Sequence, residues 1–305
     1  MDILANALIA AGARGSLGTR IEAGGTWGLW LDTYPGAALH AITAGTVWLG
    51  LPDRRPRQLR AGDVVFLPAG TEHGLSGEPG VRTGACDRVE AARARAMGDV
   101  LRLGSRPASA KLVTLHYEQD PEVRTPILGA LGDVVHIETL AHPHVDDFVR
   151  LLVRELSHPQ FGTTAVLNSL IDLLLIQVIR ARLDARAEER AGWLRGLLDP
   201  PVRDALTKIH QEPSRPWTTA TLAAAISVSR ATLSRRFPAA TGQTPGEYLT
   251  RWRMDLAALR LRDTDQTVES IAAAVGYTSA HAFSRAFRRH RGLAPGAYRS
   301  RSRRA

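Results

Sequence analysis

The stretch LSRRFPAATGQTPGEYL, Leu233 to Leu249, returns fifty residues later as FSRAFRRHRGLAPGAYR, and this repeat constrains the fold more than any other feature of the chain. Setting residues 219–248 over 269–298 without a gap aligns Ser229 with Ser279, Ser234 with Ser284, Arg235 with Arg285, Phe237 with Phe287, Gly242 with Gly292 and Tyr248 with Tyr298. Each copy reads as a short alanine-rich helix, TLAAAI or SIAAAV, then a tight turn, then a serine that caps a second helix. That order is a helix-turn-helix. Leu233 and Phe237, like Phe283 and Phe287, fall four apart and share the face that packs on the first helix. The opposite face carries Arg230, Ala231, Ser234 and Arg235 in one copy and Ala280, His281, Ser284 and Arg285 in the other. Gly242 and Gly292 end their helices, and the prolines behind them start the next. Between the copies, Pro245 to about Leu261 predicts one helix of about 17 residues, near 26 Å long.

Charge sharpens this reading. The net charge of +9 is unevenly placed: from Trp193 onward there are 19 Lys and Arg against 8 Asp and Glu, net +11, which leaves −2 for residues 1–192. A solvated basic face is the plain account of such a segment. Charge this lopsided, nearly all of it arginine, is also the footprint of a phosphate-binding surface.

The second copy carries I-A-x-x-V-G-Y-x-S-x-x-x-F-S-R-x-F followed by G-x-x-P-x-x-Y-R, from Ile271 to Arg299. With this combined motif the chain resembles, over about a third of its length, the DNA-binding domain of AraC/XylS-type transcription regulators. The resemblance implies that both second helices enter major grooves of double-stranded DNA. Position by position it points to Ala231, Ser234 and Arg235 in the first copy and Ala280, His281, Ser284 and Arg285 in the second, with Arg230 beside them. Arg235 and Arg285 are the expected base readers, because arginine can contact guanine through two hydrogen bonds. A phosphate clamp or a pairing within the chain are the other uses of the same side chains. Pro238 stands where the family has a basic residue, so the first recognition helix is expected to be bent or short and the second to carry more of the specificity. The tail RSRSRRA is expected to be disordered.

Length and composition admit two domains, and 44% apolar residues is the share of an ordinary globular protein. The longest uncharged apolar run, Leu173 to Ile179, reads as too short to cross a bilayer, and MDILANALIAAGARG lacks the basic start of a signal peptide. A single cysteine, Cys86, rules out a disulfide within the chain. The expected compartment is the cytoplasm.

From Trp27 to about Val135 the chain alternates in short β-rich runs, WGLWL, HAITAGTVWLGL, DVVFLP and KLVTLHY, broken by Gly, Pro and Asp. This predicts a small antiparallel barrel or sandwich. Gly62 to His73, GDVVFLPAGTEH, fits the second cupin motif G-x5-P-x-G-x2-H, so the segment resembles the cupin sensor domains found in one branch of the same regulator family. The first cupin motif, with its H-x-H and glutamate, is absent. His40 falls on the face where the family's glutamate ligand lies, His73 closes the second motif, and Cys86 is placed to complete a set of three. His40, His73 and Cys86 are therefore a candidate zinc or copper site, with Cys86 as a redox switch. An apolar pocket for a small molecule accounts for the same residues as well as a metal does, and a plain structural interior is the remaining account. HIETLAHPHVDDF, with His136, His142 and His144, reads as a surface loop leading into a helix.

VDDFVRLLVRELSHPQ and TAVLNSLIDLLLIQVIRARLDA are two apolar helical patterns broken around His158–Gly162. The second is apolar round most of its circumference, which suits full burial or a shared interface in a homodimer. The resulting fold class is α+β: a cupin-like antiparallel β-barrel over residues 1–138, a helical coupler and dimerisation region over 139–192, and an all-α tandem helix-turn-helix domain over 193–305. The expected function is sequence-specific transcription regulation without catalysis, controlled by an effector in the barrel, whether metal, oxidant or small molecule. The competing class is a cupin-type metalloenzyme held on DNA by its helix-turn-helix module. No general acid–base pair beside the candidate ligands supports it.

Overall fold

In the computed structural model, which describes residues 14–33, 36–68, 70–86, 93, 99–118, 131–139, 141–184 and 193–302, the β-rich runs of the N-terminal half become strands. These are β1 (Arg14–Gly24), β2 (Gly28–Leu31), β3 (Gly36–Ala44), β4 (Thr46–Gly50), β5 (Arg57–Arg60), β6 (Asp63–Leu67), β7 (His73–Ser76), β8 (Gly84–Ala85), β9 (Val100–Gly104), β10 (Ala110–Glu118) and β11 (Val135–Glu138). One sheet has the order β11-β6-β3-β10-β1-β9 and the other β5-β4-β7-β2-β8. Pairing is antiparallel except that β1 runs parallel to β9 and β2 to β8. Each sheet therefore departs from the wholly antiparallel expectation at one edge. The β-rich region also begins earlier than the alternation suggested, because β1 precedes Trp27. Its glycines hide the pattern: a Cβ at Gly24 would stand 2.3 Å from the Pro107 carbonyl oxygen, so close backbone approach excludes a side chain there.

Strand alternation divides the six-stranded sheet between two cores. Ile21, Val65, Leu67 and Leu112 point to the five-stranded sheet and join Leu29, Val47, Leu49 and Leu75 in one buried cluster. Each such side chain contributes about 1.5–3 kcal/mol by leaving water. Phe66, between Val65 and Leu67, and Tyr117, an odd number of residues from Leu112 on β10, take the other face, ring edge to ring face at 5.9 Å. On that face lie α1 (Pro143–Ser157) and α2 (Thr163–Asp184). The Tyr117 hydroxyl donates to the Ile171 carbonyl of α2, tying β10 to the helix.

Helix α2, at 22 residues, is long and apolar enough to cross a membrane by length and composition. The expectation from the run Leu173 to Ile179 alone missed this, since interspersed Thr, Asn and Ser do not lower the mean hydropathy enough. Here α2 packs on β1, β11 and α1. It buries Leu167, Leu170, Ile171, Leu174, Leu175, Val178 and Ile179, one stripe at helical spacing, and leaves Val166 and Leu173 exposed. The predicted loop at His136 is also corrected. The residue sits in β11, paired with Val65 of β6, and its Nε2 lies 3.3 Å from Asp63.

These strands and the two helices form one compact unit, residues 13–121 with 131–187; residues 188–305 form a second. The second unit contains α3 (Trp193–Leu198), α4 (Pro200–Gln211), α5 (Thr219–Ala225), α6 (Arg230–Thr241), α7 (Pro245–Asp263), α8 (Val268–Ala274), α9 (Ala280–Arg291) and α10 (Pro295–Ser302). Helix α7 has 19 residues, about 28 Å at 1.5 Å per residue, and packs against α6 from one copy and α8, α9 and α10 from the other. The tail expected to be disordered is helical through Ser302, anchored by buried Tyr298 and by Arg299, which donates to the Gln266 carbonyl. Residues 303–305 of that tail lie outside the described residues.

Candidate nucleic-acid interface

The two copies are built on the same local chemistry. Ser229 caps α6 by accepting from the Thr232 N–H at 3.0 Å, and Ser279 caps α9 by accepting from the Ala282 N–H at 3.3 Å. Each helix ends on a left-handed glycine, Gly242 at φ 74° and Gly292 at φ 72°, whose N–H returns to a helix carbonyl at 2.8 Å. Such a φ strains any residue with a Cβ. Phe237 meets Tyr248 edge to face at 5.7 Å, and Phe287 meets Tyr298 in the same way at 5.4 Å. Pro238 does not shorten α6, which runs 12 residues like α9.

With Leu233, Phe237, Phe283 and Phe287 fully buried, the opposite faces are left open. Arg230, Ala231, Ser234, Arg235, His281 and Arg285 are exposed, and Ala280 and Ser284 half-buried. The arginines of this unit sort into two groups. Arg236 pairs with Asp199 at 2.8 Å, Arg291 is buried against Asp255, and Arg253 donates to the carbonyls of Pro213, Ser214 and Arg215. Arg230, Arg235 and Arg285 make no hydrogen bond or ion pair with any described residue. Pairing within the chain therefore does not account for Arg235 or Arg285. Sequence reasoning had passed over Arg288 and Arg289, exposed in the last turn of α9. Arg289 is felt by His290, whose imidazole is held below its ordinary value by desolvation first and then by Arg289, Arg291 and Arg251. The spacing Arg285, Arg288, Arg289 was the signal that marked them.

The barrel interior holds the second set of candidates. His40 and His73 meet with their Nε2 atoms 2.8 Å apart, both side chains buried. His40 Nδ1 lies 3.0 Å from the Thr114 hydroxyl and His73 Nδ1 2.7 Å from the Thr71 carbonyl. A carbonyl only accepts, so His73 carries its proton on Nδ1 and its Nε2 accepts from His40. His40 Nδ1 then accepts from Thr114, and all four ring nitrogens are satisfied with both rings neutral. Burial first, then the imidazoles of His73 and His116, hold His40 well below its ordinary value; burial also lowers His73, against the opposing Thr71 carbonyl. Thr114 and Thr71 had no mark in the sequence, since the pairing of Thr114 with His40 joins residues of different strands, β10 and β3.

Cys86 does not join them. Strand β2 lies between β7, which starts at His73, and β8, which precedes Cys86. Two strand spacings, roughly 10 Å, separate their backbones. Cys86 instead packs half-buried against the barrel's apolar cluster. Among the described residues no three His, Cys, Asp or Glu side chains are gathered closely enough to hold a metal ion. The expected three-ligand set is reduced to a histidine pair, and that pair presents one bare Nε2 already engaged by its neighbour's proton.

Comparison with known proteins places these two regions in context. Residues 2–184 match the cupin family and residues 222–301 the helix-turn-helix domain family. An AraC-like transcription regulator of Streptomyces lividans is 36% identical over 98% of this chain and 98% of its own length. The transcriptional regulator MtrA of Neisseria gonorrhoeae is 30% identical over 98% of each. The DNA-binding domain of AdpA, solved in complex with a target DNA, is 32% identical over 34% of this chain and 94% of that one, with a TM-score of 0.33.

Proposed function

The chain belongs to the AraC-like family of transcription regulators, and on that premise we propose that α6 and α9 enter successive major grooves on one side of the duplex, under control of an effector held in the cupin domain. One observation carries the first half: Arg235 and Arg285 occupy the same register of two identically capped helices, exposed and unengaged. Helix α7 is the spacer, and its length is comparable with one DNA turn of roughly 34 Å. Arg235 and Arg285 read base edges, while Arg230, Ser234, His281 and Ser284 contact backbone or bases beside them. DNA as the ligand makes the cytoplasm the working compartment.

Control from the barrel is supported by the Thr114–His40–His73–Thr71 chain. A hydrogen-bonded array that is satisfied in only one protonation and tautomer pattern changes when a ligand takes one of its atoms. The histidine pair by itself does not make the zinc or copper site. The metalloenzyme alternative gains no support from the arrangement either. Exposed Val166 and Leu173 lie seven apart on one face of α2 and suit a contact with a second copy of the chain. Pairing two readers raises affinity without new base contacts.

Selection of bound fragments from genomic DNA tests the reading. The full chain is expected to prefer its operator over random DNA by roughly 10³-fold or more. Binding that merely follows salt, with no preferred sequence, contradicts it. Elemental analysis beside Leu173→Glu in a sizing measurement tests the other two parts: no stoichiometric metal, and loss of the dimer.

A further inference from the structure

Outside the barrel, a cavity of ≈ 800 Å³ opens between the outer face of β6 and one face of α1. Val65 and Leu67 belong to the barrel cluster, so alternation turns Val64 outward, where it lines this cavity together with Val149 and Val153 of α1. Val64 and Val149 are buried, so the wall is apolar and firm. The volume lies within the range of small-molecule pockets.

Its polar groups are unevenly engaged. Asp63 accepts from the Arg60 backbone N–H at 2.8 Å and sits 3.3 Å from His136. Asp146 takes Arg150 at 2.6 Å, one helical turn along α1. Arg154, the next turn on the same face, is exposed at the rim and makes no side-chain hydrogen bond or ion pair with any described residue. Both acids are thus answered from within the chain and one guanidinium is not. A ligand that satisfies this lining has an apolar body for the valines and an anionic end for Arg154.

We propose that the cavity between β6 and α1 is a second ligand site, distinct from the barrel interior, that takes a small apolar carboxylate with its carboxyl group on Arg154. The apolar body packs on Val64, Val149 and Val153 and displaces water from them. Nothing in this depends on the reading of the DNA-binding unit.

Calorimetric titration of the full chain with 4-phenylbutyrate, 4-phenylbutanol and 4-phenylbutylamine tests it without DNA. The acid is expected to bind saturably and at least about tenfold tighter than the alcohol or the amine, as a charge-assisted hydrogen bond predicts. Arg154→Gln, a change at an exposed position, should bring the acid down to the alcohol's affinity, while Arg102→Gln, on β9, leaves it unchanged. Val153→Trp, which fills the cavity, should remove binding of all three, with a thermal melt to show that the variant folds. Absence of saturable acid binding overturns the proposal. So does equal affinity of acid and alcohol, or acid binding that survives Arg154→Gln but is lost in His73→Gln, which would put the ligand inside the barrel.

Discussion

Helices α6 and α9 share a frame and differ in what they carry. Serine cap, left-handed glycine and buried aromatic pair recur at the same register, yet the last turn of α9 holds Arg288, Arg289, His290 and Arg291 whereas that of α6 holds no basic residue. The supports differ as well. Arg236 of α6 pairs at the surface with Asp199, while Arg291 of α9 is buried against Asp255. The first copy packs buried His210 against Trp252 and Tyr248, where the corresponding core of the second copy is apolar. The frame is thus the conformational requirement of the motif, and the differences set how firmly each reader is held and how strongly it grips an anion.

The buried pair should show the largest effect. Removing Asp255 strands a guanidinium away from water, so Asp255→Ala is expected to cost about 3–5 kcal/mol in urea unfolding. Asp199→Ala loses a half-buried pair and the cap of α4, about 1–2 kcal/mol together. Equal losses would break the contrast between the copies.

Acid should weaken the first copy through His210. Burial lowers His210 to about 3, so the fold keeps it neutral while the unfolded chain takes up a proton below about pH 6.5. The unfolded state then binds more protons, and stability falls as pH drops from about 6.5 toward 3, by at most about 1.4 kcal/mol per unit from this group. His40 and His73 act in the same direction in the barrel. Unfolding at pH 7 and 5 should show His210→Gln with a flatter slope than the parent; an unchanged slope removes His210 from the account.

On DNA, Arg285→Ala should cost about 1–3 kcal/mol and relax the preference at one base, with Arg235→Ala doing the same in the other half of the site. Replacing Arg288 and Arg289 by alanine should weaken all sequences alike and lower the salt slope by about one per arginine. Smallest of all, Ser229→Ala and Ser279→Ala should each cost about 1 kcal/mol and match one another, because the caps belong to the shared frame.

The reader was largely legible in the sequence, and the barrel less so. Caps, helix-ending glycines and the i, i+4 aromatic faces are local codes, and the repeat stated them twice. His40 and His73 could be placed on one interior by strand alternation. Cys86 could not, because its distance depends on β2 lying between β7 and β8, a matter of strand order that local sequence does not encode. The pairs Asp199 with Arg236 and Asp255 with Arg291 span 37 and 36 residues and were invisible for the same reason. Strand β1 was missed because close packing requires glycine where alternation would otherwise show.

The most direct test of two matched readers is selection of bound sequences from a random DNA library by the full chain and by its Arg235→Ala and Arg285→Ala variants. The account predicts two preferred patches about one turn, roughly 10.5 base pairs, apart, with each variant losing preference in one patch alone. A single patch, or a uniform loss of affinity with both patches intact in either variant, would contradict it.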